Sequence, residues 1–315
     1  MKFGIQYQLN VPRPLDKDQW NDDDEYKIFQ QALEQIEFAD KLGFDYVWFT
    51  EHHFLEEYSS SSAPEVFLAA ASQRTKNIRL AHGIVHMPPR HNHPARVAER
   101  IATLDLVSNG RVEFGTGEGA TTTEVEGFLT NKAEKKEAWE EATRECLRMM
   151  TTTPYPGYEG IHFSMPERNV IPKPLQKPHP PVWLAASRLE TAMVGARLGM
   201  GALGVGFESP QDAHERVTRY YELIRSCRPI GKAINPALAA GGNLMMAKTN
   251  EEAVARGLRG AQYFGYALGY TNQPGIKYGG YHLHRDFVKA FGEEGAERPD
   301  VKEVEPEDET QRTLY

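Results

Sequence analysis

The feature that most restricts the fold is a regular alternation of short apolar runs with longer segments that have one apolar face. The first run is "KFGIQYQL". The segment after it carries apolar residues at helical spacing: Tyr26, Phe29, Leu33, Ile36 and Ala39. Gly43 ends that helix, and "DYVWFT" follows as the next run. Continuous apolar runs of this length are typical of parallel strands that are buried on both faces, so the pattern predicts repeated strand–helix units.

The alternation continues through about seven units. Further strands are predicted at "IRLAHGIVHM", "RVEFG", "PVWLAAS", "MGALGVGF" and "GGNLMMA". One helix opens at Pro94 with Val97, Ile101 and Leu104 facing inward, and the last begins at Asn250. Such repeats close either as an open doubly wound sheet or as a (β/α)8 barrel. The barrel is favoured because "NVPRPLDKDQW", after the first strand, has none of the glycines of a nucleotide-binding turn.

Composition limits the class of protein. The chain has 315 residues, 40% hydrophobic and 25% charged, which is the profile of one large globular domain. We assign residues 1–291 to this domain, with an insertion at about 151–180 and a mobile lid at about 265–291, and residues 292–315 to a flexible acidic tail. The net charge of -8 argues against a nucleic-acid partner, and no segment is typical of a signal peptide or membrane span. The two cysteines are far apart, which suggests neither a disulfide framework nor a metal site and fits the cytoplasm.

In a barrel of parallel strands, the chemistry collects at the carboxyl ends of the strands. "EHHF", "GTGEGATT" and "AAS" occupy such ends after the second, fourth and fifth strands. Because adjacent residues on a strand point to opposite faces, one of His52 and His53 should enter the mouth of the barrel and the other should pack outward. The strand position alone leaves a functional and a structural role for "EHHF" equally open.

The run "AHGIVHMPPRHNHP" invites a metal interpretation, because imidazoles are common ligands of zinc and iron. His82 and His86 are four residues apart on one strand face, about 13 Å at roughly 3.3 Å per residue, which is too far for one ion. His91 and His93 precede a helix start, where Asn92 or His93 is better placed to cap backbone amides. The sequence has no HExxH motif or facial-triad spacing, and we expect no metal.

Two short stretches could bind a phosphate or serve as ordinary structure. In "AASRLET", Ser187 begins a predicted helix with Glu190 three residues on, which is the spacing of a capping box. A helix start also offers free amides to an anion, but an ordinary capped helix is the commoner outcome for this motif. The glycines of "GTGEG", Gly115 to Gly119, would admit a flat ring or a phosphate, and a turn needs them equally.

Taken together, "GFDYVWFTEHHF", "HPARVAERIATLDLVSNGRVEFGTGEG" and "PPVWLAAS" resemble the flavin-dependent monooxygenases of the bacterial luciferase family. The similarity covers about residues 1–290 and includes "RDFV" at Arg285 to Val288. The resemblance implies a (β/α)8 TIM barrel that binds reduced FMN at its mouth and uses O2 to form a flavin hydroperoxide.

The resemblance also implies roles for individual residues. His52 matches the family's essential histidine, and a neutral imidazole can hold or take a proton near pH 7. Gly83 and Ile84 match a pair joined by a cis peptide bond beneath the flavin ring, and Lys136 falls near an arginine that grips the phosphate. The residues that the resemblance places at the cofactor are Glu51, Gly83, Ile84, Gly117, Glu118, Thr121, Lys136, Ala185, Ala186 and Ser187.

Three features depart from the family pattern. Glu118 stands where the family often has an arginine, so weak flavin binding is expected. The reactive cysteine of the luciferases falls at Gly117 and a tryptophan near the ring falls at about Gly206, which argues against light emission. The chain stops at Tyr315 before a last strand and helix, so either the sequence is truncated or another element closes the sheet.

These observations predict an FMN-dependent monooxygenase supplied with reduced flavin by a separate reductase, since no second nucleotide fingerprint is found. The expected substrate is a small apolar organic molecule, and the expected state is a cytoplasmic dimer without nucleic-acid or membrane partners. The segment "YFGYALGYTNQPGIKYGGYHLH" is predicted to cover the site as an aromatic lid. The alternatives are an F420-dependent oxidoreductase of the same fold, a non-catalytic partner subunit and, least supported, a metal-dependent hydrolase.

Overall fold

The computed structural model describes residues 1–13, 21–205, 209–271 and 282–292. Its strands are β1 (Gly4–Tyr7), β2 (Tyr46–Phe49), β3 (Arg79–His82), β4 (Val85–His86), β5 (Val112–Gly117), β6 (Tyr158–Glu159), β7 (Ser164–Met165), β8 (Val182–Ala185), β9 (Gly201–Val205) and β10 (Leu238–Gly241). Its helices are α1 (Asp24–Leu42), α2 (Pro64–Arg74), α3 (Pro94–Val107), α4 (Thr122–Gly127), α5 (Lys135–Thr151), α6 (Leu189–Arg197), α7 (Pro210–Ile224), α8 (Asn250–Thr271) and α9 (Leu283–Phe291). A 3-10 turn spans Glu56–Tyr58.

The parallel sheet runs in the order β1-β2-β3-β5-β8-β9-β10, and β4 pairs with β5. The sheet curves strongly. Trp48 on β2 and Trp183 on β8 are not on neighbouring strands, yet their rings meet edge to face with 5.1 Å between centroids. A Cβ added to Gly241 on β10 would lie 3.1 Å from Oε1 of Gln6 on β1. The fold is therefore a nearly closed parallel barrel surrounded by helices, which confirms the predicted fold class and its alternating units.

The main core lies between the sheet and the surrounding helices. From α1, the residues Ala32, Leu33, Ile36 and Ala39 are buried, and burying each leucine or isoleucine side chain contributes about 1.5–3 kcal/mol. The prediction that Tyr26 faces inward is wrong, because this side chain is 68% exposed. Tyr26 lies in the first turn of the helix, and the packing of α1 on the core begins only at Ile28.

The stretch "LDLVSNGR", Leu104 to Arg111, leads into β5 at the end of the barrel where the strands begin. Arg111 donates hydrogen bonds to the carbonyl oxygens of Ser72, Thr75 and Ile78, and thereby ties α2 to the start of β3. The carboxylate of Asp105, which is buried, accepts two hydrogen bonds from Gln176. These contacts give this part of the motif a structural role.

Three predicted elements differ in detail. The strand predicted at "IRLAHGIVHM" is split into β3 and β4 by Gly83 and Ile84, whose peptide bond is cis. The strand predicted at "GGNLMMA" is wrong: β10 pairs with β9 from Leu238 to Gly241, and Leu244 is 81% exposed. The capping box at Ser187 is also wrong, because α6 begins at Leu189 and its N-cap makes no side-chain hydrogen bond.

Some predictions fall on residues outside the described ranges. These are Gly206, residues 272–281 of the predicted lid and, from residue 293 on, the predicted tail. Within the described ranges, no helix is both long enough and apolar enough to cross a bilayer.

Candidate active site

Segments that follow the strands of the barrel bring His52 and Glu124 together. His52 lies in the segment after β2, and Glu124 lies in the first turn of α4, after β5. The Nδ1 atom of His52 is 3.0 Å from Oε1 of Glu124, and the backbone N–H of His53 donates to the same oxygen at 3.0 Å. The hydroxyl of Thr121 donates to Oε2 of Glu124 at 2.6 Å. The Glu124 carboxylate, which is fully buried, is thus held on both oxygens.

The Glu124 carboxylate orients the His52 ring. Burial alone would raise the pKa of Glu124, but the hydrogen bond from His52, the imidazoles of His52 and His86 and the Thr121 hydroxyl outweigh it and lower this pKa. Glu124 is therefore ionised and can only accept, so Nδ1 of His52 must carry the hydrogen. The other ring nitrogen of His52, Nε2, is then left to exchange a proton, and 17% of the side chain is exposed.

A second pair supports the first. Nε2 of His53 lies 2.9 Å from Oε1 of Glu51, and Asn92 donates to the same carboxylate oxygen at 2.8 Å. Arg100 on α3 donates to the side-chain oxygen of Asn92 at 2.5 Å and to Glu65 on α2 at 2.5 Å. Burial would raise the pKa of Glu51, but the hydrogen bonds and nearby imidazoles lower it overall. Glu51 is therefore a buried anion within a network anchored on two helices.

The two histidines of "EHHF" do not face opposite ways. Both rings pack around His86, with centroid distances of 6.3 Å from His52 and 5.8 Å from His53. The alternation rule fails here because β2 ends at Phe49 and both residues lie beyond it. The His53 ring also contacts Phe54 and Phe128.

His86 sits at the centre of this cluster. Burial lowers its pKa, so its imidazole is neutral near pH 7. Its Nδ1 lies 3.1 Å from Nδ1 of His91, which places a single hydrogen between the two atoms. Burial likewise lowers the pKa of His91, to about 4.

Next to this cluster, β5 packs closely against the segment that contains a cis peptide bond. Ile84 and His86 are two residues apart on the segment that contains the cis bond between Gly83 and Ile84. A Cβ on Gly115 would lie 1.8 Å from the carbonyl oxygen of His82, and one on Gly117 would lie 2.5 Å from the tip of Ile84. Both glycines are therefore required for β5 to approach the cis segment, which is a specific reason for the glycines of "GTGEG".

Residues that the resemblance places at the cofactor also follow β8. Ala186 is buried and Ser187 is exposed, and Arg216 on α7 donates to the carbonyl oxygens of both at 2.8 and 3.0 Å. Lys136 is exposed, whereas the neighbouring Lys135 is half-buried. Its Nζ donates to the carbonyl oxygen of Gly119 at 2.6 Å and lies 3.5 Å from the Glu118 carboxylate.

The aromatic residues of α8 and α9 pack over the loop after β2. Tyr58 lies between the two parts, with its ring 5.5 Å from His52 and 6.4 Å from Phe264. The buried carboxylate of Glu57 accepts from the backbone N–H groups of Arg13 and His284. These contacts pack α8 and α9, which carry the described part of the predicted lid, against the loop after β2, and the mobility of the lid remains a prediction.

Two groups of three side chains could also hold a metal ion. They are Glu51, His53 and His86, and His52, His86 and Glu124, with the donor atoms of each group within 4.8 Å of one another. The sequence argument against a metal considered only the histidines from His82 to His93 and did not include these combinations.

A sequence model described as luciferase-like monooxygenase matches residues 1–314. The chain belongs to this family. A similar solved structure, the monooxygenase RslO1 from Streptomyces bottropensis, has 26% sequence identity and a TM-score of 0.73, covering 92% of this chain and 82% of that one.

Curated relatives of this chain include a protein named as flavin-dependent and another named as F420-dependent. The oxygenase component of the flavin-dependent trigonelline monooxygenase of Acinetobacter baylyi is 30% identical over 51% of this chain and 44% of that protein. The F420-dependent glucose-6-phosphate dehydrogenase of Amycolatopsis mediterranei is 27% identical over 54% of this chain and 52% of that protein. The chain spans about half the length of these relatives.

Sequence reasoning missed several residues of the site. Glu124 is the main one, and Arg100 and Arg216 were not considered. The signal for Glu124 was present, because Thr121 and Glu124 have capping-box spacing and Thr121 does cap α4. Asn92 was considered as a helix cap, whereas His93 takes that role and Asn92 binds Glu51.

Proposed function

We propose that this chain is the oxygenase component of a two-component monooxygenase, which uses reduced FMN and O2 to oxidise a small apolar organic molecule. The observation that carries the proposal is the His52–Glu124 pair, held at 3.0 Å beside the cis segment at Gly83 and Ile84. Family membership supports the reaction type. The flavin-dependent oxygenase component among the relatives supports both the cofactor and a separate reductase.

The residues at the rim fit a flavin. The cis segment would receive the ring, and the segment from Ala185 to Ser187 with Lys135 would face the phosphate. The fit at the phosphate is loose, because Lys135 is already paired with Glu118. Bound reduced FMN would supply the electrons that activate O2. A loosely held flavin suits a cofactor that arrives reduced from another protein.

His52 would manage the proton. With Nδ1–H held by Glu124, the Nε2 atom can hold a proton near the reacting oxygen or take one from it, the usual division of labour when a carboxylate orients a histidine. The partly exposed ring is accessible from the mouth, while Glu124 is fully buried. Tyr58, with Phe264 behind it, would exclude water from this side of the His52 ring.

The test compares the unaltered protein with His52→Ala and His53→Ala by stopped-flow mixing with reduced FMN and oxygen. We expect a long-lived absorbance from the oxygen adduct and coupled product formation in the unaltered protein. His52→Ala should keep the fold and lower turnover about 10²- to 10⁴-fold, as the loss of a positioned acid or base does. His53→Ala should act chiefly on stability, by about 1–3 kcal/mol, because it leaves the buried Glu51 without one partner.

Five results would count against the proposal or one of its parts. Release of hydrogen peroxide at the same rate as from free reduced flavin would contradict the monooxygenase function. Full coupled turnover in His52→Ala would contradict the role of His52 in proton transfer. A stable but inactive His53→Ala protein would show that His53, and not His52, has that role. Tight binding of F420 with weak binding of FMN would favour the hydride-transfer alternative, and turnover with neither would favour a non-catalytic partner subunit.

We further propose that the protein acts in the cytoplasm as a dimer and draws reduced flavin from a reductase partner. Both cysteines are free thiols, in keeping with a reducing compartment. Analytical ultracentrifugation with and without a flavin reductase would measure the oligomeric state and the partnership.

A further inference from the structure

We propose that His52, His86 and Glu124 form a binding site for a divalent transition-metal ion of the Zn²⁺ class. The three donor atoms lie within 4.8 Å of one another. Glu124 Oε1 is 3.0 Å from His52 Nδ1 and 4.0 Å from His86 Nε2. Two ligands bound to one ion at about 2.1 Å are at most about 4.2 Å apart, so both of these separations suit a shared ion.

The geometry leaves room for an ion between His86 and Glu124. A separation of 4.0 Å is too long for a hydrogen bond, so these two groups face each other without a direct bond. The distance between the two imidazoles needs to close by no more than about 0.6 Å to reach the span of one ion. Side-chain rotation of the partly exposed His52 can supply this shift.

The charges of the cluster favour a cation. The carboxylates of Glu51 and Glu124 are both buried, and the backbone and ring of His53 contact one each, so two acidic groups lie in a small volume. His86 is also buried, and imidazole nitrogen is a common metal ligand. Buried charges in proteins are normally paired or coordinate metals, and a dication placed here would offset both carboxylates.

Outer contacts fix two of the three ligands. His91 contacts Nδ1 of His86 at 3.1 Å, which directs Nε2 toward Glu124. The Thr121 hydroxyl holds the far oxygen of Glu124 at 2.6 Å. Second-shell contacts of this type orient ligands and strengthen metal sites. Two histidines and one carboxylate leave coordination positions open, as in hydrolytic zinc sites and non-haem iron sites, and the exposed side of His52 gives an entry path.

An ion at this site would act as an inhibitor. Coordination through Nδ1 of His52 replaces its N–H···O bond to Glu124, so His52 no longer keeps the tautomer that leaves Nε2 for proton transfer. This consequence rests on the proposed function, whereas metal binding itself does not. Neither metal binding nor the change in the His52 tautomer alters the oxidation state of the protein or of a Zn²⁺ ion.

The test titrates the metal-free full chain with Co²⁺ and then Zn²⁺, without flavin, and measures the visible d–d absorption of Co²⁺ and its displacement. We expect one ion per chain. His86→Asn, His52→Asn and Glu124→Gln should each weaken binding at least 100-fold, and Thr121→Val should weaken it about 10- to 100-fold as a second-shell change. The exposed His214 provides a matched surface control, and His214→Asn should leave binding unchanged.

Two controls separate the alternatives. His53→Asn tests the rival ligand group of Glu51, His53 and His86. A strong loss of Co²⁺ affinity in His53→Asn, with no loss in His52→Asn, would overturn the proposed ligand set. Absence of stoichiometric binding in the unaltered protein would overturn the site altogether. Thermal unfolding of each variant checks the fold, and Thr121→Val, which removes no ligand, serves if a ligand variant fails to fold. Metal binding without inhibition of turnover would contradict the proposed role of His52 while leaving the metal site in place.

Discussion

Glu118 is the residue whose chemistry departs most from a phosphate site. Its carboxylate lies 3.5 Å from Nζ of Lys135, and it would repel a phosphate placed near the same rim. We predict that Glu118→Gln binds FMN roughly twofold to fivefold more tightly, because it frees Lys135 and removes one negative charge, and exposed pairs of this type are worth up to about 1 kcal/mol. Fluorescence titration with reduced and oxidised FMN measures the change.

Riboflavin, which has the same ring without the phosphate, is the matched control for Glu118→Gln. Its affinity should not change, because the substitution acts only on the phosphate. An equal gain for riboflavin and FMN would show that Glu118 contacts the ring or a loop and not the phosphate.

Among single residues, the sequence identified some members of the candidate site but not the residues that hydrogen-bond to them. The resemblance singled out His52 and the Gly83–Ile84 pair, and the structure has the cis bond at that position. Glu124 escaped because it is 72 residues from His52, and in "TTTEVEG" it reads as an ordinary helix-start acid. The contact of Lys135 with Gly119 could not be predicted, because sequence spacing does not reveal which side chain of a first helical turn faces the preceding loop.

Among the elements, α8 carries an unusual load of glycine. Gly260 and Gly265 are exposed in mid-helix, and a Cβ added to either would meet no atom within 4 Å. We predict that Gly260→Ala and Gly265→Ala each raise the free energy of unfolding by about 0.5–1 kcal/mol, because alanine restricts the unfolded chain and favours the helix. Gly257→Ala is the matched control within the same helix.

Gly257→Ala should destabilise the protein, because its Cβ would lie 2.5 Å from Cβ of Met245. Urea unfolding of the three variants measures the signs. Destabilisation by Gly260→Ala or Gly265→Ala would mean that α8 is not helical at these positions in solution. If the predicted lid must open through α8, the two stabilised variants should also turn over more slowly.

A second element-scale prediction concerns His179, which joins the segment before β8 to the loop after α7. Its Nδ1 donates to the carbonyl oxygen of Pro180 at 2.9 Å, and its Nε2 accepts from the backbone N–H of Lys232 at 3.0 Å. Both bonds exist together only in the neutral ring, and burial lowers the pKa of His179. Nearby Lys232 lowers it further.

Because the folded pKa of His179 lies below the unfolded value of about 6.5, its contribution to stability is complete above pH 6.5 and is lost as the pH falls through the folded pKa. We predict that the unaltered protein loses stability on acidification below pH 6.5, and that His179→Gln loses less over the same interval. His214→Gln, at an exposed histidine, should behave as the unaltered protein. Equal pH profiles for the unaltered protein and His179→Gln would contradict the assignment.

Helices and strands could be told apart from the sequence because apolar residues recur at different spacings in each. Breaks within a predicted strand could not be predicted. The apolar spacing predicted α1 and α3 and the strands before them. It could not show that Gly83 and Ile84 break one strand into two, because both residues continue the apolar run. It placed the last strand too late because "LMM" is apolar, although these side chains are exposed and the pairing with β9 uses earlier residues.

For the whole molecule, the barrel was predictable from the number of strand–helix units. Whether its two edge strands are buried and paired could not be predicted, because this depends on contacts between residues far apart in the sequence. Every residue of β5 is buried, while β1 alternates exposed with half-buried and β10 has no fully buried residue. Among the described strands, β1 and β10 are the two ends of the parallel sheet.

We predict that backbone amides of β1 and β10 exchange with deuterium on the order of 100-fold faster than those of β3 and β5, because edge strands open locally while central strands open only with global unfolding. Hydrogen-exchange mass spectrometry at two protein concentrations makes the measurement. Fast exchange at both concentrations agrees with open edges. Slow exchange that appears only at high concentration would show a second chain pairing with an edge, and slow exchange at both would show that residues outside the described ranges complete the sheet.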